Sequence, residues 1–153
     1  MANQTPWEAT LEDMRSIAAD LEEDGWETLS IAAGDTAPVS PDAGPDDRFG
    51  LVHVVQGDDA DRLEEILETA SITESESYLA VVSGTEYTVT VVSDPESRVA
   101  VLLTGAFEYQ QARPCFDAAA RRGVIYSHVQ RLDGTRVAVF EHDDPELFEP
   151  SET

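Results

Sequence analysis

The amino-acid sequence predicts a single α+β domain, with three helices and a mixed, mostly antiparallel sheet of five to seven strands in the order α-β-β-α-β-β-β-α-β-β. Three observations carry that expectation. The chain has 153 residues, about one domain at the usual ~150 residues each. Apolar residues recur at helical spacing in three stretches and alternate at strand spacing in others. Strands between Tyr78 and Thr104 are joined by turns too short for a crossover, which makes an antiparallel meander the natural connection. Residues 1–150 are assigned to this domain, with a flexible acidic Pro/Gly loop at 34–49 and a tail at 151–153.

Thr5-Pro6-Trp7-Glu8 starts the first helix, with Thr5 as N-cap, Pro6 at the first helical position and Glu8 closing a capping box. Trp7, Leu11, Met14, Ala18 and Leu21 form its buried stripe, and Gly25 ends it so that Trp26 packs back on Leu21. Trp26 to Ala33 reads as a half-exposed strand with Leu29 and Ile31 inward. Gly34 to Arg48, with three prolines and four aspartates, reads as a loop, and its spacing lacks the ligand alternation of a calcium site. Leu51 to Val55 is apolar on both sides except for His53, which predicts a central strand holding a buried, hydrogen-bonded neutral imidazole. Asp58 or Asp59 caps a second helix whose stripe is Leu63, Ile66, Leu67 and Ala70. Tyr78–Ser83, Glu86–Ser93 and Arg98–Thr104 are the meander, and a third helix over Tyr109–Arg122 stops at Gly123, with Pro114 either at a first helical position or breaking an earlier turn. Asp133-Gly134 then closes a hairpin, and Leu147 with Phe148 offers a docking pair in the tail. The first eight elements resemble, in order alone, roadblock and longin domains; that likeness implies helices on a five-stranded sheet and a regulatory binding role.

Hydrophobic residues make up 41% of the chain, enough for a sizeable core. Thirty-two acids face nine bases, all of them Arg, for a net charge of -23. Such a surface opposes compaction in dilute buffer, whereas at ~1 M salt the screening length falls to ~3 Å. A salt-rich cytoplasm follows as the expected setting, and the fold should be lost when molar KCl is diluted away. A surface mimicking nucleic acid is the competing reading, and the spread of carboxylates along the chain tells against it. Nucleic-acid and anionic-membrane binding both need cations that are missing here. No run of ~18 apolar residues is present, so the chain is expected to be soluble. A single cysteine, Cys115, rules out an internal disulfide, and with no base beside it in sequence it is expected to be a packed thiol.

No glycine-rich phosphate loop and no nucleophile-elbow motif exists. Asp94 and Glu108 stand at opposite ends of one strand, ~30 Å apart at ~3.3 Å per residue, too far to share a catalytic metal. No metal or cofactor is expected. Counting back from an Asp133-Gly134 turn sets Tyr126 opposite Glu141, His128 opposite Val139, Ile125 opposite His142 and Arg131 opposite Arg136. Tyr126, His128 and Glu141 are the candidate proton-transfer cluster, weighed against a structural patch. Arg131 and Arg136, as a like-charge pair, need bridging acids from the chain itself or an anionic ligand or partner carboxylate.

Gly25-Trp26, Gly34-Asp35-Thr36-Ala37-Pro38-Val39, Phe49-Gly50-Leu51-Val52, Tyr126-Ser127-His128-Val129-Gln130, Leu132-Asp133-Gly134-Thr135 and His142-Asp143-Asp144 together resemble a family of small acidic haloarchaeal proteins of unknown function. The family tends toward Thr where this chain has Ser127, which keeps the hydroxyl. The resemblance implies the salt-rich cytoplasm and brings no activity with it. The functional expectation is a non-enzymatic binding or regulatory domain with a protein or small-ligand partner; the alternative is a small-molecule enzyme using Tyr126, His128 and Arg131 with the aspartate-rich loop as lid. Homodimerisation through an open sheet edge or the Leu147-Phe148 tail is a third possibility.

Overall fold

The structure, a computed structural model, describes residues 4–41 and 48–150. Helix α1 (Pro6–Glu23) begins at the expected capping box: Glu8 N–H donates to Thr5 Oγ1 at 3.1 Å and Thr5 N–H to Glu8 Oε1 at 3.2 Å. It ends in a Schellman motif, Gly25 at φ 89° with Trp26 N–H reaching the Leu21 carbonyl at 3.0 Å. Strands β1 (Glu27–Ala32), β2 (Asp35–Val39) and β3 (Gly50–Val55) lead to α2 (Gly57–Leu67), β4 (Glu74–Val82), β5 (Thr85–Asp94), β6 (Val99–Glu108), α3 (Tyr109–Arg122), β7 (Ile125–Arg131) and β8 (Arg136–His142).

The α+β class holds, but the single sheet does not. The described strands form two mixed sheets of four, β1-β6-β5-β4 and β2-β3-β7-β8. β3 leaves β1, pairs antiparallel with β2 and runs parallel to β7, so the five-stranded sheet implied by the element order is not formed. The added strand is β2, at the start of the stretch read as loop 34–49. Pro38 made it look like a loop, yet β2 is an edge strand, where a missing N–H costs no ladder bond. Residues 42–47 of that stretch lie outside the described residues.

Each sheet has one parallel pair, β1–β6 at the edge of the first and β3–β7 at the middle of the second, and the meander β4–β5–β6 is antiparallel as expected. α1 lays Met14 and Ala18 on Val89, Val91, Ala100 and Leu102 on the outer face of the first sheet. The inner face turns Leu29, Ile31, Val101 and Leu103 toward Val55 and Val129 of the second sheet and toward Ala60 and Leu63 of α2. α3 seals one end with Phe116 against Phe107, Leu51 and Ile125. Each such aliphatic side chain taken fully out of water contributes about 1.5–3 kcal/mol. Pro114 sits inside α3 without ending it, so neither expected placement is right. Gln56 rather than an aspartate stands at the N-cap of α2, without a side-chain capping hydrogen bond, and Asp58 and Asp59 occupy its first turn, at the positive end of its dipole. Phe148 folds back into the core beside α3, fully buried, with Leu147 partly buried against the same cluster.

Two hairpins differ in their turns. Between β4 and β5 the turn is Ser83-Gly84, both at positive φ (52° and 85°), the two-residue geometry expected at Asp133-Gly134. At β7–β8 only Gly134 has positive φ, 90°, and the loop is Leu132-Asp133-Gly134, closed by Gly134 N–H to the Arg131 carbonyl at 2.9 Å and Arg131 N–H to the Thr135 carbonyl at 2.8 Å. That shift would move every pair by one, but a bulge at Val129/Gln130 shifts it back. Tyr126 therefore faces Glu141 and His128 faces Val139 as counted, while Arg136 faces Gln130 and the predicted Arg131–Arg136 pair does not form.

Candidate functional site

Strand alternation decides what meets between the sheets. Ser75 and Ser77 of β4, Thr88 and Thr90 of β5, Thr36 of β2, His53 of β3, Ser127 of β7 and His142 of β8 share the inner faces with the aliphatic core. The sheets approach closely at Gly105: a Cβ there would lie 2.7 Å from Thr36 Oγ1 of the facing sheet, and 3.2 Å from Thr88 Oγ1 on the neighbouring strand. The result is a polar seam through an otherwise apolar interior.

Its best-connected member is His142, 1% exposed. Nε2 is 2.8 Å from Ser127 Oγ and Nδ1 is 2.7 Å from Ser75 Oγ, and Phe148 stacks edge-on with ring centroids 5.5 Å apart. Burial lowers its pKa to about 4, against a smaller opposing pull from the Asp143 carboxylate. The ring is therefore neutral at pH 7, with one nitrogen donating and the other accepting. Ser75 also lines a cavity of about 410 Å³ between the end of α2 and the facing edges of β4 and β8, beside Glu141 and Asp143. A hydroxyl–imidazole–hydroxyl chain thus runs from that cavity into the core. Its base is too weak to draw the serine proton strongly, and two carboxylates oppose a developing oxyanion. The chain holds Ser75 in place more than it activates it.

His53 lies on the same face and is fully buried, with neither ring nitrogen hydrogen-bonded among the described residues. Burial lowers its pKa to about 4, outweighing the backbone of His128, which favours the charged ring; His142 and His128 add repulsion. The expected neutral imidazole is present, and its expected hydrogen bond is not. Glu86, also fully buried, has both carboxylate oxygens unpaired, and burial together with the Glu149 carboxylate raises its pKa to about 8. Cys115 is packed among α3 residues, and burial pushes its thiol up to about 11, far from thiolate at neutral pH.

The residues singled out from sequence are split by the second sheet. On its outer face Tyr126 O–H donates to Glu141 Oε1 at 3.4 Å, the His128 and Tyr126 rings are 6.2 Å apart, and His128 Nε2–H donates to the Phe49 carbonyl at 2.7 Å. Arg131 turns the other way, to Asp61 Oδ1 at 2.7 Å and Glu64 Oε1 at 2.8 Å on α2, which hold its guanidinium charged. Asp61 and Glu64 of the chain itself balance Arg131, but they do not bridge it to Arg136, because the Arg131–Arg136 pair does not form. Sequence reasoning passed over Ser127 and His142 as a pair. The signal was available: with Ser127 opposite Phe140, His142 is its diagonal neighbour on the face away from Tyr126. No spacing in the chain announced Ser75 or Glu86, which reach the seam from the other sheet.

A second feature lies outside the seam. Between α1 and β4, a groove of about 390 Å³ has Ile17, Leu21, Trp26 and Val91 on its floor and Asp20, Asp24, Glu74 and Glu76 around it. Among the described residues no three His, Cys, Asp or Glu side chains converge as a metal site, and no helix is long and apolar enough to cross a membrane.

These features define a two-sheet α+β domain with a buried polar seam that reaches a cavity at Ser75, and open grooves at its edges. The chain belongs to a family of unknown function, DUF7529, whose model matches residues 1–150. No curated protein and no solved structure matches it.

Proposed function

We propose that this protein is a non-enzymatic binding or regulatory domain that engages a protein partner in the cytoplasm of a salt-rich cell. The observation that supports it is β4. This strand is nine residues long, forms the edge of its sheet, and from Tyr78 to Val82 carries no charge. Tyr78, Val81 and Val82 are 46%, 43% and 42% exposed. Monomeric proteins keep edge strands short, charged or covered, because an open apolar edge pairs with whatever strand it meets. Affinity capture from a high-salt lysate, with wild type beside a Tyr78→Glu/Val82→Glu variant of unchanged circular dichroism, tests the proposal. A defined partner held by wild type and lost by the variant is expected; equal capture by both, or none, overturns it.

The second reading is a small-molecule enzyme. The hydroxyl of Ser75 on a cavity wall, tied to His142, favours it more than Tyr126, His128 and Arg131 do, since Arg131 faces away from the other two. A serine-directed fluorophosphonate probe should then label wild type and spare Ser75→Ala, and lack of labelling removes this reading.

A further inference from the structure

We infer that the groove between α1 and β4 receives a basic amphipathic helix from a partner protein; this rests on the binding-domain reading and names its partner's chemistry. Strands lie ~4.8 Å apart and a helix with its side chains is ~10–12 Å across, so one helix covers little more than two strands of a four-stranded sheet. α1 touches β1, β5 and β6. The outer face of β4 is left bare, with Glu74, Glu76, Tyr78, Ala80 and Val82 all exposed. Packed helix axes are ~8–10 Å apart, so a second helix beside α1 falls over β4 and the groove. Its floor and near wall are apolar: Ile17, Leu21 and Trp26 are half-buried there and Val91 is buried, with Tyr78 exposed at the rim. The layer is one helix short.

Charge selects the occupant. Asp20 and Asp24 border the groove from α1 and Glu74 and Glu76 from β4, and none of the four is in an ion pair among the described residues. A nearby cation, Arg98, donates to the Asp24 carbonyl at 3.2 Å and leaves the carboxylates unpaired. A helix with an apolar stripe flanked by Lys and Arg meets both the floor and the rims. A second copy of this chain brings the same acidic rims against them, carboxylate facing carboxylate at contact distances that even the ~3 Å screening length of molar salt does not remove. An anionic lipid surface is repelled for the same reason.

The test uses a designed helical peptide of about five turns, Leu along one face and Lys and Arg along the other, with a control carrying Glu at the cationic positions. Both are fluorescently labelled and titrated with the full chain, at KCl concentrations where circular dichroism shows the fold intact. The basic peptide is expected to bind, to weaken as KCl rises, and to bind at least tenfold more weakly to a Glu74→Lys/Glu76→Lys variant of unchanged circular dichroism. Leu132→Ser, at the 89%-exposed tip of the other sheet, should leave binding unchanged. Equal binding of the acidic control, insensitivity to the double charge reversal, or no binding overturns the inference, as does a dimer in light scattering that Tyr78→Glu dissociates. If the peptide arm fails while lysate capture still depends on Tyr78 and Val82, only the helix is wrong and the binding-domain reading survives. If capture fails too, both fall.

Discussion

His142 and His53 occupy the same inner face, both buried and both held near pKa 4, yet one has its two ring nitrogens hydrogen-bonded and the other has neither. The difference lies in their neighbours. His142 is near the free edge of the second sheet, where Ser75 reaches it from the first sheet and Ser127 from the next strand. His53 is central, flanked by Thr36 and Val129, and Thr36 Oγ1 is itself unpartnered. Burial alone therefore does not make a histidine structural. Its energetic role depends on whether hydroxyls of the neighbouring strand and of the facing sheet reach its ring nitrogens.

Replacing each imidazole is the sharpest way to break the comparison. His142→Leu orphans the buried Ser127 hydroxyl, sends Ser75 to solvent and removes the edge contact with Phe148. At ~1–3 kcal/mol per unsatisfied buried group and ~0.5–1.5 kcal/mol for the ring pair, a loss of about 3–4 kcal/mol is expected in denaturant melts at fixed molar KCl. A loss below about 1 kcal/mol would mean the chain of hydroxyls is idle.

Acid should act next most strongly, and on both rings alike. A histidine whose folded pKa is about 4 against 6.5 unfolded contributes stability that is present above 6.5 and lost as pH falls toward 4. Glu86 has the opposite sign: with its folded pKa near 8 against 4.5, the folded state keeps a proton the unfolded chain releases, so stability falls from pH 4.5 to 8. At ~1.36 kcal/mol per unit for each group, the two imidazoles outweigh the carboxyl below 6.5, for a net loss of about 3 kcal/mol between pH 6.5 and 4.5. Above 6.5 only the carboxyl term remains. Stability against pH should peak near 6.5, and both histidine variants should flatten its acid limb; an unchanged limb in either variant contradicts the assignment.

Glu86→Gln isolates the alkaline limb. Removing the ionisable group should raise stability by about 2 kcal/mol at pH 8, discounted for partial solvent screening and the amide's own unmet bonds, and by nothing below pH 4.5. Chemical denaturation at the two pH values checks it. An equal effect at both would point to packing instead of charge.

Much of this was legible in the chain, and the failures have definite causes. The α1 caps and the β3 core strand follow from local chemistry, and so does the meander; all three are present. The hairpin register was right at Tyr126–Glu141 by two cancelling shifts, a three-residue turn and a bulge, and wrong at Arg131, which lies between them. Strand β2 was hidden by Pro38, because a proline reads as loop unless the strand is known to be an edge. The split into two sheets depends on β3 choosing β7 over β1, a pairing across more than seventy residues that no local pattern encodes. The seam is half legible: alternation put Ser127 and His142 on one face, but only the packing of one sheet on the other brings Ser75 to them.

The smallest effect expected is also the most discriminating. His53→Leu replaces a fully buried, unpartnered imidazole by an apolar side chain, and nothing on Thr36 or Val129 loses a bond by it. The imidazole gives up ~1–3 kcal/mol in unmet hydrogen bonding, which the leucine does not. Altered shape in a close-packed interior takes back most of that, because volume-conserving swaps typically cost less than ~1.5 kcal/mol. A change at pH 7 within about 1 kcal/mol of wild type, on the stabilising side, is expected, with the difference widening in favour of the variant as pH falls through 6.5. Thermal melts at pH 7 and 5 in molar KCl read both numbers. Destabilisation by more than about 2 kcal/mol at pH 7 would show that His53 has a bonding role after all. The contrast with His142 would then reduce to position in the sheet, with no difference in partners behind it.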